Sequence, residues 1–131
     1  MTSVADTRLL LALEFPPSQE VRPKIRDFFE KEIAKRLLAP SIVLTEFIEI
    51  AGARMGEDAA RTRIRLLKDR GMRTVALGEE EALVAGGLLL SHRNVPIADA
   101  LIASLIKTGV AEYIITDDPH FKALDVKTKW L

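Results

Sequence analysis

Short apolar, partly β-branched runs alternate along this chain with segments of helical periodicity, and that alternation limits the fold more than any other feature. Met1 to Ala5 reads as a strand, followed by Asp6-Thr7 and then by Leu9, Leu10 and Leu13 at helical spacing. Pro16-Pro17-Ser18 interrupts the pattern. From Ser18 to Leu38 the apolar positions Val21, Ile25, Phe28, Phe29, Ile33 and Leu37 recur at three- and four-residue steps and predict one long amphipathic helix. After Pro40, Ser41 opens a helix over Ile42 to Met55, with Thr45, Glu46, Glu49 and Gly52 along one polar side and the rest expected to be buried. Gly56 ends it, and Asp58 to Arg70 predicts a further helix closed by Gly71.

The second half repeats the rhythm. Arg73 to Leu77 is a strand candidate, and Glu79, Glu80 and Glu81 lie at the positive end of the next helix. Gly86-Gly87 falls inside that helical pattern, where close packing is the expected reason for it. Ile97 to Thr108 predicts another helix, Glu112 to Thr116 a buried strand, Asp117 to Phe121 a turn into a short helix, and Val126 to Trp130 a last strand. About four strands separated by helices imply an α/β fold with a mostly parallel central sheet and helices on both faces.

Composition removes whole classes of function. At 131 residues the chain is expected to be a single domain, 1–131. With Cys 0 there is no disulfide, thiolate metal site or cysteine nucleophile. The longest nearly apolar stretch, Ala82 to Leu90, contains Gly86-Gly87 and is far shorter than the roughly 20 residues of a membrane helix. The first residues lack a secretory signal, so a cytoplasmic protein is expected. Nineteen Lys and Arg balance nineteen Asp and Glu, yet Arg54 to Arg73 holds seven cations against three acids, and Arg22 to Arg36 six against three. The neutral total therefore conceals basic faces able to meet a polyanion. Gly-rich phosphate loops, paired-His zinc motifs and Gly-x-Ser-x-Gly elbows are absent. His92 and His120 are isolated in sequence and read as structural or exposed residues.

Carboxylates remain. In a parallel sheet the residues just beyond the C-terminal strand ends line the ligand crevice. Asp6 follows the first strand and Asp117-Asp118 the Ile114-Ile115 strand, while Asp99 lies in the first turn after Pro96 and Glu46 on the polar side of its helix. Brought together, such groups would repel and raise one another's pKa values unless a cation neutralised them, and oxygen-only ligation favours Mg²⁺ or Mn²⁺. The competing reading is that Asp6, Asp99 and Asp118 merely cap helices or complement their dipoles, with Glu46 and Glu49 facing solvent.

Four blocks resemble one family. They are Val-Ala-Asp6-Thr-Arg-Leu-Leu-Leu-Ala-Leu, Ser-Ile-Val-Leu-Thr-Glu46-Phe, Pro-Ile-Ala-Asp99-Ala-Leu-Ile-Ala-Ser-Leu and Tyr-Ile-Ile-Thr-Asp-Asp118-Pro-His-Phe. In this order and at these separations the chain resembles the PIN-domain ribonucleases, in particular the small VapC-type toxins of toxin–antitoxin pairs. The resemblance implies a three-layer α/β/α fold with four or five strands. It also implies a Mg²⁺- or Mn²⁺-dependent endoribonuclease acting on RNA, with Asp6, Glu46, Asp99 and Asp118 as catalytic metal ligands and Thr7 as the hydroxyl residue after the first Asp. It further implies an antitoxin partner whose apolar anchors lie in a groove near the site. Two departures stand out: Arg8 replaces the usual Ser or Asn two places after the first Asp, and Asp117 adjoins Asp118 as a substitute or second ligand. The segment from Phe15 to Pro40 is not covered by the likeness.

Arg8 also motivates a different reading, a non-catalytic RNA- or protein-binding module of the same fold. A receiver-like signalling domain is disfavoured because no Lys follows a late strand at the expected place. Finally, adjacent Phe28 and Phe29 cannot both enter one narrow apolar stripe, so one of them is expected to mark a homodimer interface.

Overall fold

Parallel strands cannot be joined by tight hairpins, so each must be followed by a crossover, and the chain supplies helices for every one. The computed structural model describes residues 1–131. Its strands are β1 (Ser3–Ala5), β2 (Leu37–Pro40), β3 (Arg73–Val75), β4 (Tyr113–Ile115) and β5 (Thr128–Lys129). They form one five-stranded sheet of order β3-β2-β1-β4-β5 in which every pairing is parallel. Between β1 and β2 run α1 (Thr7–Glu14) and α2 (Arg22–Lys35); between β2 and β3, α3 (Ser41–Met55) and α4 (Glu57–Asp69). Helices α5 (Glu79–Ser91) and α6 (Ile97–Lys107) join β3 to β4, and the short α7 (His120–Ala123) precedes β5.

All residues of β1, β2 and β4 are buried. Successive side chains of a strand point to opposite faces, so both faces of the sheet's centre are covered and the fold is the expected α/β/α arrangement. Leu9 and Leu10 of α1, Phe29 of α2, Phe47 of α3, Ile102 of α6 and Phe121 of α7 supply the largest wholly buried side chains that the helices bring onto that centre.

One strand was hidden in the sequence. The helix expected to reach Leu38 stops at Lys35, Arg36 adopts extended backbone, and Leu37 to Pro40 becomes β2, a neighbour of β1. Leu37 continues the helical spacing of Ile33 by one step, so periodicity runs on past the change of structure. Pro40 is the better marker, since its φ of −65° and ψ of 150° close the strand and cap α3. In α3 the buried line is Val43, Phe47 and Ala51 at four-residue steps. The expectation that all the remaining apolar residues are buried fails at Ile50, which is exposed.

Phe29 enters the core, while Phe28 is half-buried with the Lys129 ammonium 5.5 Å above its ring. Beside it, at the N-terminal edge of the sheet, Glu32 is wholly buried. Its carboxylate accepts from the Tyr113 hydroxyl (2.5 Å) and from Lys129 Nζ (3.1 Å), with Lys35 Nζ at 3.5 Å. Burial by itself would raise its pKa, but the Tyr113 hydroxyl and the two ammonium groups outweigh it and hold the Glu32 carboxyl below its ordinary value. The network ties α2 to β4 and to the last strand.

The glycine pair in α5 departs from expectation. A Cβ added at Gly86 or Gly87 would meet nothing within 4 Å, so nothing inside the chain packs closely there. Each glycine within a helix costs roughly 0.5–1 kcal/mol relative to alanine, and packing within the chain does not offset it.

Candidate metal centre

The chain builds outward from β1 in both directions, through β2 and β3 on one side and through β4 and β5 on the other. The crevice beyond the C-terminal ends of β1 and β4 is therefore the topological switch point, where open parallel sheets bind ligands. Register pairs Ala5 with Ile115, which places the next residues, Asp6 and Thr116, side by side. The Thr116 hydroxyl donates to Asp6 Oδ2 (2.7 Å) and accepts from the Asp118 N–H (3.0 Å). One hydroxyl thus fixes two acids from opposite ends of the chain.

Asp6 is also the N-cap of α1, its Oδ1 accepting from the Thr7 N–H at 2.8 Å. The Thr7 hydroxyl turns to α3 and donates to Glu46 Oε1 at 2.6 Å, drawing Glu46 toward the same crevice. Asp118 Oδ1 accepts from the His120 N–H (2.9 Å), and the His120 ring returns over the acids with Nδ1 2.9 Å from Asp118 Oδ1 and 3.2 Å from Asp99 Oδ2. One ligand atom from each of Asp99, Asp118 and His120 falls within 4.8 Å of the others. Asp99 is buried in the first turn of α6, and its Oδ2 has no hydrogen-bond partner, because His120 Nδ1 is near without being aligned to donate. Capping therefore accounts for part of what Asp6 and Asp118 do and leaves this Asp99 oxygen unexplained.

Electrostatics link all four acids. Burial above all, then the charges of Asp118 and Asp6, pushes the Asp99 carboxyl up to about 6, with His120 opposing and Glu46 adding to the rise. Burial likewise raises Asp6, helped by Asp118 and Glu46 and opposed by the bonds from Thr116 and Thr7. A carboxyl whose folded value exceeds its unfolded value supports the fold while protonated and loses that support as pH rises through the folded value. Between about pH 4.5 and 6.5 the melting temperature of the metal-free protein should accordingly fall, whereas Mn²⁺ added at pH 7 should restore it. A melting temperature that stays level over this range without metal would mean that the acids do not share one crevice.

The two departures noted in the sequence resolve together. Arg8 leaves α1 toward solvent and pairs with Asp117 (2.8 Å), its Nε remaining 3.9 Å from Asp118. Asp117 is thereby engaged by a cation at the rim, and Asp118 is the member of the pair that joins the buried group. Sequence reasoning missed His120, and it used Thr116 only as the Thr-x-Asp spacing that marks Asp118. Pro119 between Asp118 and His120 is the signal that was present, since a proline-initiated turn brings the second residue's N–H back onto the acid. His92, by contrast, is structural as expected, with Nδ1 3.0 Å from the Leu88 carbonyl.

Residues 4–127 match the family model of the PIN domain. The chain belongs to the PIN-domain family. Among curated sequences none matches it, but its fold has close counterparts. It aligns with a chain of the Rickettsia felis VapBC2 complex bound to a promoter DNA fragment, at TM-score 0.79 and 15% identity, covering 99% of this chain and 98% of that one. The DNA-bound VapBC of Salmonella typhimurium gives 0.78, with 17% identity and coverages of 99% and 98%. VapC20 of Mycobacterium tuberculosis, a toxin that cleaves the sarcin–ricin loop, gives 0.77, with 16% identity and 95% of each chain covered. At such identities the likeness is one of fold, and this PIN domain's chemistry must be read from its own crevice. No helix is long and apolar enough to cross a membrane.

Proposed function

We propose that this PIN domain is a divalent-cation-dependent endoribonuclease and the toxin of a toxin–antitoxin pair. The observation that carries the reading is the buried, donorless Asp99 Oδ2 within a group of four acids at the switch point. An oxygen in that position is stabilised by a cation, and the donor set fits one: Asp6, Glu46, Asp99 and Asp118 supply the hard oxygens that suit Mg²⁺ and Mn²⁺. The His120 nitrogen beside them weights the site toward Mn²⁺, since imidazole suits transition ions. Asp6, Glu46, Asp99 and Asp118 would hold such an ion, which would supply an acidified water and charge compensation for phosphodiester hydrolysis.

The remaining work falls to the chain. Thr116 and Thr7 fix the orientation of Asp6 and Glu46, so the acids need no reorganisation when substrate arrives. Arg8, tethered by Asp117, presents a guanidinium at the mouth, where it can meet a phosphate without entering the acid group. Cleavage of RNA with Mn²⁺ and its loss in EDTA is the direct test, and cleavage that persists in EDTA would refute the reading.

The largest groove, about 610 Å³, runs between α3 and α4. Leu44, Ile48 and Ile64 supply its apolar lining and Arg61, Arg65 and Lys68 its cationic lining, and the same α3 carries Glu46 to the acids. Arg61 is partly neutralised by Glu57 one turn earlier (2.8 Å). RNA phosphates tracking this helix would release counterions, so affinity should fall with salt, and Arg61→Ala with Arg65→Ala should flatten that slope by roughly one to two units. An unchanged slope in a filter-binding titration would remove α4 from the RNA surface. The antitoxin is supported by the neighbouring folds, which occur in VapBC complexes, and a small protein co-purifying from the native host is the expected finding.

A further inference from the structure

The acids gather where the strands end, and a set of cations gathers where they begin. Glu32 is wholly buried at that second end, and its Oε2 holds two ammonium groups, Lys129 Nζ at 3.1 Å and Lys35 Nζ at 3.5 Å. One carboxylate offsets only one of these charges. Both lysine side chains stay 42% exposed, so the unmatched positive charge faces solvent. It is also fixed in place, because Lys129 lies over the rings of Phe28 and Tyr113, 5.5 and 5.7 Å from their centroids, as well as on Glu32.

Three more cations stand at strand starts. Arg36 directly precedes β2, Arg73 opens β3 and Lys127 directly precedes β5. All three are exposed, and none forms an ion pair within the chain. They line two cavities that share Lys35. One, of about 410 Å³, is lined by Lys35, Arg36 and Arg73, and the other, of about 370 Å³, by Lys35, Lys127, Lys129 and Tyr113. Neither cavity has an acid in its lining. Glu112, just before β4, is occupied by the Thr2 N–H. Neighbouring strands lie about 4.8 Å apart, so the four intervals from β3 to β5 spread these cations over about 19 Å. That length exceeds one phosphate and matches a chain of them.

We infer that this end of the sheet is a second nucleic-acid surface, on which the phosphates of a single RNA strand run from Arg73 and Arg36 past Lys35 to Lys129 and Lys127, remote from the acid crevice. The choice of RNA among polyanions rests on the proposed nuclease function. A crevice of four acids repels the polyanion it is to cleave, so affinity has to come from elsewhere on the molecule. A cationic strip on the same sheet supplies it without neutralising the acids.

Binding in EDTA tests this apart from cleavage, with a fluorescent single-stranded RNA as the probe. The Arg36→Ala, Arg73→Ala, Lys127→Ala triple variant should melt with the wild type, since none of the three has an ion-pair partner to lose. It should bind the RNA roughly tenfold more weakly at low salt, with a salt slope shallower by about two units, each single-strand phosphate contributing about 0.7. Lysine acylation read by mass spectrometry gives the location, and RNA should protect Lys35 and Lys127. Unchanged affinity and slope in the folded triple variant would overturn the inference, and so would lysines equally reactive with and without RNA. A triple variant that keeps its RNA affinity but no longer adheres to vesicles of anionic phospholipid would also overturn it and assign the strip to a lipid surface. Because no metal is present, a failure here leaves the nuclease function standing, and absence of cleavage with Mn²⁺ leaves the measured RNA contact standing.

Discussion

Asp6→Asn should abolish metal-dependent RNA cleavage, by at least about 10²–10³-fold, while leaving the metal-free protein as stable as the wild type or more so. The two halves of this expectation come from different oxygens of one side chain. Asparagine keeps a carbonyl oxygen for the Thr7 N–H that Oδ1 now accepts and so continues to cap α1. At Oδ2 it presents an amide donor to the Thr116 hydroxyl, a change of about 1 kcal/mol set against relief of the repulsion among Asp6, Asp118 and Glu46. The charge that a divalent ion requires is lost outright. Cleavage should be compared with Mn²⁺ and with EDTA, and melting temperature with and without Mn²⁺. A variant with full metal-dependent activity would reduce Asp6 to a helix cap.

Glu32→Ala should have the largest effect on stability and little effect on chemistry. It removes the acceptor of the buried Tyr113 hydroxyl, whose own pKa is pushed up to about 12, by burial first and then by Glu32. It also frees Lys129 and leaves a void beneath α2. Losing one partner from such a network costs about 3 kcal/mol, which for a domain of this size lowers the melting temperature by roughly 10 °C. The sign of its pH dependence is opposite to that of the acids in the crevice. Glu32 lies below its ordinary value of 4.5, so its contribution is present above that pH and disappears as pH falls through the folded value. The variant should therefore lose the wild type's acid-side decline while its cleavage, assayed well below its melting point, stays within a few-fold of normal. Loss of activity in a fully folded Glu32→Ala protein would show that the two ends of the sheet are coupled.

The parts of the fold that were legible in the sequence share a cause. Asp6 and Asp118 sit where a buried β-branched or apolar run gives way to a helix start, and that local signal places both acids at strand ends. The strand β2 was not legible because Leu37 satisfies the helical spacing of Ile33 and the sheet position simultaneously, and only pairing with Ser3 and Val4 decides between them. His120 was readable only in part, through Pro119. Its partner Asp99 comes from another helix, so no spacing along the chain records their 3.2 Å approach. The glycine pair was assigned correctly to a helix, but the close packing expected around it is absent from the chain, since spacing places a glycine on a helix without recording which face it occupies.

The hydrogen bond from Thr116 to Asp6 spans 110 positions of the chain, and this sets when the molecule can first act. Synthesis proceeds from Asp6 toward Thr116 at about 5–20 residues per second, so Asp6, Glu46 and Asp99 are all joined to the chain before β4 and Asp118 are made. Until β4 slides in beside β1, the crevice has only one wall. A chain that ended before Tyr113 would carry three of the acids and lack both the strand and the Asp118 that complete the group.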